Sequence, residues 1–260
     1  MSQFDEDFST DMDDRARKAS RTVTVGWTIR AGKGGLIWAP PEPFSRSDRK
    51  ASSAKSVQFC PAAVEFDRRH FVIPCPFDLT LQFETLPNGQ LHLKDADGEN
   101  SAMRPTGLRE SVVLHPQNEW RDPARPLIQI VAPYIFVADE PCYVVQTPPY
   151  LHYAPAPRPG VQVGGRFPVH IWPRPLSWGF EWHDIKLPLR LKRGEPWFYV
   201  HFETENPAAR VRLVETELTP ELEGYVNSIV DVSNYVNKTF SLFADAQARR
   251  PATLIRPKKS

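Results

Sequence analysis

HIWPRPLSWGFEWHD, residues 170–184, places two His, three Trp, one Glu and one Asp within fifteen positions. Side chains on a β-strand alternate between two faces, so the stretch can be read by parity. In Trp178 to His183 the even positions are Trp178, Phe180 and Trp182, whereas Glu181 and His183 face the other way. The same rule separates Phe167, Val169 and Ile171 from His170 and Trp172. In Trp197 to Glu203 it separates Phe198, Val200 and Phe202 from Trp197, Tyr199, His201 and Glu203. Each segment has one wholly apolar side and one side of His, Glu, Trp and Tyr, as strands do when one face lies on a core. This reading decides for a mainly β fold.

Composition agrees. The 260 residues include 27 Pro against 13 Gly, and proline, which fixes φ and lacks an amide donor, favours edges, turns and extended chain over long helices. Strand-like runs recur along the sequence. TVTVGWTIR is expected to form a first hairpin with LIWAP across a GKGG turn at 32–35. A second hairpin is expected from Leu79, Leu81 and Phe83 to Leu91 and Leu93 across Pro87-Asn88-Gly89. Further strands are expected at 111–115, 127–138, 142–147, 166–172, 178–191, 196–204 and along ARVRLVET. Short strands with turn signals between them predict a β-sandwich or jelly roll, a cupin-like barrel included, over residues 21–217. Asp95, Asp97, Gly98 and Asn100 read as a turn, because the glycine comes too early for a calcium loop.

The C-terminal segment follows a different period. Thr219 suits an N-cap and Pro220 the first helical position. Leu222, Val226, Ile229, Val236, Phe240 and Phe243 then recur at helical spacing, predicting one helix over 218–246. Its wide apolar stripe has to be covered, by the β domain or by another protomer. On the second reading these six residues are oligomerisation contacts.

The net charge is +1, so the chain as a whole is no trap for nucleic acid or anionic membrane. The ends differ from the middle. The first fourteen residues carry six acids and no base, and the last twelve carry five bases and no acid. Residues 1–20 therefore read as a disordered acidic tail, residues 247–260 as a basic tail, and SRSDRKASSAKS (45–56) as a mobile loop. The tails offer contacts to a second copy or another protein, and the basic one alone offers a contact to nucleic acid. Nothing resembles a signal peptide or a membrane span, and three cysteines without a C-x-x-C pair suit reduced, mostly buried thiols in a cytoplasm.

If the three parity segments are neighbours, their polar sides share one surface. His170, Glu181, His183 and His201 are then candidate ligands for a divalent Fe, Mn or Zn ion. The usual cupin order, His-x-His followed by Glu, is absent, and Glu181-x-His183 reverses it. Trp172, Trp197, Tyr199 and Glu203, with Arg174 and Arg190, are candidates for stacking against a sugar or a base. Cys60 and Cys75 flank His70, yet nothing marks either thiol as activated.

CPAAVEFDRRHFVIPCPFD (60–78), GGRFPVHIWPRPLSWGFEW (164–182) and KRGEPWFYVHFET (192–204) resemble a group of uncharacterised proteins carried by tailed phages of marine bacteria and by related bacterial genomes. The resemblance rests on Cys60-Pro61-Ala62, Phe71-Val72-Ile73, Pro76 with Asp78, and Trp172-x-Arg174-Pro175, while Cys75 departs from it. It implies a phage-linked or accessory role and transfers no catalytic residue. Two functions are thus expected: a non-catalytic binding or assembly protein, and, as the alternative, a cupin-like metal-dependent enzyme of oxygenase type.

Overall fold

A computed structural model describes residues 21–30, 36–45, 59–152, 157–233 and 239–259, with backbone alone at 230–233 and 239–240. The acidic tail, the GKGG turn, the loop from residue 46 and the position of Val236 lie outside the described residues, as does the side chain of Phe240. In chain order the elements begin with β1 (Thr22–Ile29), β2 (Glu42–Pro43), α1 (Pro61–Arg69), β3 (His70–Pro74), β4 (Leu79–Thr85) and β5 (Leu91–Asp95). Next come α2 (Pro105–Ser111), β6 (Val112–Leu114), β7 (Leu127–Ala138), β8 (Cys142–Thr147), β9 (Gly160–Val163) and β10 (Gly165–Pro168). β11 (Pro175–Trp182), β12 (Leu189–Leu191), β13 (Pro196–Thr204), β14 (Arg210–Glu215), α3 (Pro220–Ser233) and α4 (Thr239–Arg249) complete them.

The fold is mainly β, with curled sheets. The first sheet runs β14-β1-β7-β11-β9, with β6 also on β7; the second runs β10-β8-β13-β3-β2; the third is β12-β4-β5. The β1–β14 pair is parallel and the other pairs are antiparallel. Register shifts at Pro175/Leu176 in β11 and at Pro196/Phe198 in β13 bend those strands, as bulges do. One core receives side chains from all three sheets: Ile128, Phe136, Trp178 and Phe180 from the first, Ile73, Val144, Phe198 and Phe202 from the second, and Leu79, Leu81 and Leu189 from the third.

β7 organises the outer side of the first sheet. Its outward residues Ile135 and Val137 form a second core with Leu222, Tyr225, Val226 and Ile229 of α3, Ala246 of α4, and Leu254. Over its described side chains, the apolar stripe of the C-terminal segment is therefore covered by its own chain. Two helices stand where one was expected, with residues 234–238 between them, and α1 and α2 make four in all among the described residues. Pro61 and Pro105 open α1 and α2 at the position where a missing amide costs nothing.

Three other expectations change. β1 forms no hairpin with 36–40, because β14 and β7 occupy its two edges. Cys60 is exposed, while Cys75 and Cys142 are buried. Finally, the basic C-terminal segment packs on the body over its described residues. Thr216 bridges Pro257, Arg256 N–H donates to Thr216 Oγ1 (2.8 Å), and Leu254 N–H donates to Asp139 Oδ1 (2.6 Å). Among the described residues no helix is long and apolar enough to cross a membrane.

Candidate functional site

Half of the first sheet's outer face lies under α3 and α4. The other half is open. Strand register sets out its rows: Val113, Gln129, Gly179 and Val163 cross β6, β7, β11 and β9 in line. Leu127, Glu181 and Val161 form the row on one side, and Val131 with Ser177 the row on the other. Four valines stand well out of this face, Val113 (47%), Val131 (39%), Val161 (45%) and Val163 (47% exposed).

A cleft of about 300 Å³ opens at the edge of this face. It exists because β9 pairs with β11 only at residues 179–182 and then crosses through Gly164 to the second sheet, leaving the edge of β11 at 175–178 without a strand partner. The crossing is close: a Cβ on Gly164 would lie 2.6 Å from the carbonyl oxygen of Gln146. Gln146, Phe167, Arg174, Leu176, Val163 and Gln129 are among the residues around the cleft. Gln146 is 5% exposed, and its Nε2 has no hydrogen-bond partner among the described residues.

Two histidine–carboxylate pairs border the open face. His115 Nδ1 meets Glu119 Oε2 at 2.7 Å and its Nε2 meets Gln129 Oε1 at 2.9 Å, so both ring nitrogens are engaged. Glu181, buried on the outer side of β11, accepts from Arg121 (2.7 Å) and from His183 Nε2 (2.9 Å), with Arg125 at 3.8 Å. The Arg121 hydrogen bond, helped by that of His183, holds the Glu181 carboxyl below the usual carboxylate range despite burial. A carboxylate so compensated is a poor base, and His115 has no ring nitrogen free for a substrate.

The predicted ligands fall in three places. Glu181 and His183 are together, as above. His201 lies on the outer side of β13 in the second sheet, stacked on His70 (centroids 4.8 Å apart) with Glu203 at 3.7 Å. His170 follows β10, where its Nδ1 lies 3.0 Å from the Cys142 carbonyl oxygen and 3.2 Å from the Cys142 nitrogen. The cause is topological: β11 and β13 send their apolar faces into one core from different sheets, so their outward faces point apart. Among the described residues no group of three or more His, Cys, Asp or Glu is arranged to hold a metal ion. Burial pushes the imidazoles of His201, His170 and His152 below their ordinary range.

The stacking candidates scatter too. Trp172 packs edge-on to Phe243 (4.7 Å) beside α4. Trp197, shifted inward by the bulge of β13, is fully buried and stacks on Trp38 (6.3 Å). Tyr199 is buried against Phe44 and Phe66, its hydroxyl bonded to His152 Nδ1, and burial raises its phenol to about 12. Glu203 pairs with Arg166 (2.7 Å), and Arg190 is exposed on β12. Only Arg174 borders the cleft. Of the oligomerisation candidates, Leu222, Val226 and Ile229 are buried on their own sheet, and Phe243 touches Trp172.

His115, Glu119, Gln129, Arg121 and Gln146 escaped the sequence reading. Gln146 had a signal: it continues the inward parity of Cys142 and Val144, so a polar side chain falls in an apolar register. Burial raises the thiols of Cys75 and Cys142 to about 12, which makes both inert at neutral pH. No family model, curated protein or solved structure matches the chain.

Proposed function

We propose that the chain is a non-catalytic binding and assembly protein that meets a second copy of itself through the open half of the first sheet, in a phage-linked setting of the kind its sequence resemblance implies. The first and second sheets, curled round one core, are read as a β-sandwich of jelly-roll type that holds this face rigid. One observation carries the reading: exposed valines on three strands, β6, β7 and β9, share one open sheet face as apolar patches crossed by Gln129, Ser177 and the Glu181 pairs. Such patches on a folded chain mark interaction surfaces. The adjoining half of the same face already buries apolar side chains under α3 and α4, so a packing partner suits the geometry. Satisfied histidine–carboxylate pairs support holding over reacting.

Sedimentation velocity across a wide concentration range tests the proposal on the wild type and on Val113→Lys/Val161→Lys. These positions are exposed, so the fold is expected to survive. Concentration-dependent association of the wild type, lost in the variant, is the expected result. A monomer throughout, or equal association of both proteins, overturns it.

A further inference from the structure

We infer that the cleft between the β11 edge and the crossing at Gly164 is a binding site for a small organic monocarboxylate with an apolar body. Three independent features converge there. The first is the cleft itself, about 300 Å³ and walled mostly by apolar groups that include Leu127, Val163, Phe167 and Leu176. Pockets for small molecules have this size and character, with few polar groups to set orientation.

The second is an unsatisfied donor. Gln146 borders the cleft, is 5% exposed, and has no partner for its Nε2 among the described residues. A buried amide without a partner costs about 1–3 kcal/mol, and because this nitrogen is closed off from solvent, an acceptor in the cleft reaches it only when the Gln146 side chain turns towards the cleft. That turn is part of the inference, with an oxygen of the ligand as the acceptor.

The third is a free cation. Arg174 borders the same cleft, is exposed, and makes no ion pair with any described residue. Guanidinium pairs with carboxylate through two parallel hydrogen bonds. A single guanidinium beside apolar walls matches one negative charge, whereas a phosphate dianion would leave charge uncompensated against those walls. The unpaired backbone edge of β11 at 175–178 offers the ligand further polar contacts. The cleft is complete within one chain, although it shares Val163 with the face proposed for assembly.

NMR titration of the full chain with benzoate and hexanoate, followed on the Gln146 side-chain amide, tests the inference; benzamide and inorganic phosphate are the controls. The expected result is a saturable shift with at least one carboxylate, weakened about tenfold in Arg174→Gln through loss of a charge-assisted contact. Gly165→Leu is expected to abolish it. Gly165 borders the cleft and an added Cβ there meets nothing within 4 Å, so this variant fills space without a backbone clash. If Gly165→Leu does not fold, the surface variant Arg174→Gln still decides. No shift with either carboxylate, equal shifts with benzamide or phosphate, or unchanged affinity in Arg174→Gln overturns the inference. The sedimentation result for the valine face does not bear on this one, so the two readings fail separately.

Discussion

Arg250 fastens the C-terminal segment to the body, and Arg250→Met measures how firmly. Its guanidinium donates to the carbonyl oxygens of Asp139 (3.0 Å), Ala138 (3.3 Å), Pro251 (2.8 Å) and His170, and its side chain is 12% exposed. One head group therefore ties the end of β7, the turn after β10 and the start of the tail. Methionine keeps most of the apolar stem and removes only the donors. A hydrogen bond to a charged group contributes about 1.5–3 kcal/mol net, and several sharing one head group do not add, so the expected loss is about 3 kcal/mol. With a urea slope of about 3 kcal/mol/M for a chain this long, the midpoint falls by about 1 M. Tryptophan fluorescence reports the unfolding, and amide exchange at Leu254 and Arg256 should speed up alongside it. A solvated basic tail predicts a change within about 0.5 kcal/mol; a midpoint that stays put would refute the pinning.

The remaining predictions concern the core, the cleft and acid. Trp178→Ala should cost about 4 kcal/mol as a large-to-small core change, whereas Val131→Ala on the open face should cost under about 0.5 kcal/mol; equal costs in urea unfolding would contradict the assigned facing of β7 and β11. Gln146→Leu removes an unpartnered buried amide and should raise stability by about 1 kcal/mol, a gain absent if the amide is satisfied in solution. Because burial lowers His201, His170 and His152, the folded state binds fewer protons than the unfolded state near and below pH 6.5. Stability should therefore fall as pH drops through about 6.5, less steeply in His201→Gln, while the contribution of the depressed Glu181 carboxyl persists until pH falls below the ordinary carboxylate range. Urea midpoints between neutral and acid pH check both the slope and its order.

Parity made the core legible. Trp178, Phe180, Trp182, Phe198, Val200 and Phe202 all enter it, because a period of two fixes which side chains point the same way along one strand. It carries no information on which sheet a strand joins. β11 and β13 present matching apolar faces to one core from different sheets, so the polar surface assembled from their other faces does not exist as a unit. Trp197 shows a second limit: the register shift at Pro196/Phe198 turns a residue inward against its parity. The long apolar stripe after Thr219 was legible as helix, but the stripe itself does not say what covers it; Ile135 and Val137, outward on β7, do. In the tail, charge counting missed Leu254 and Ile255, whose burial against the second core holds a basic segment in place.

The distribution of satisfied and unsatisfied polar groups bears on the choice between recognition and reaction. A catalytic base needs a partly free proton site whose affinity is tuned towards neutrality. Around the open face the titratable groups are closed: Glu181 is held by Arg121 and His183, and His115 by Glu119 and Gln129. The buried groups left open there are neutral amides, at Gln146 and Gln162. Amides donate and accept hydrogen bonds without exchanging protons at neutral pH, so they suit the orienting of a bound molecule. Arg174 is the charged group at the cleft that pairs with no described residue, and together with the closed pairs around the face this favours the binding reading proposed above.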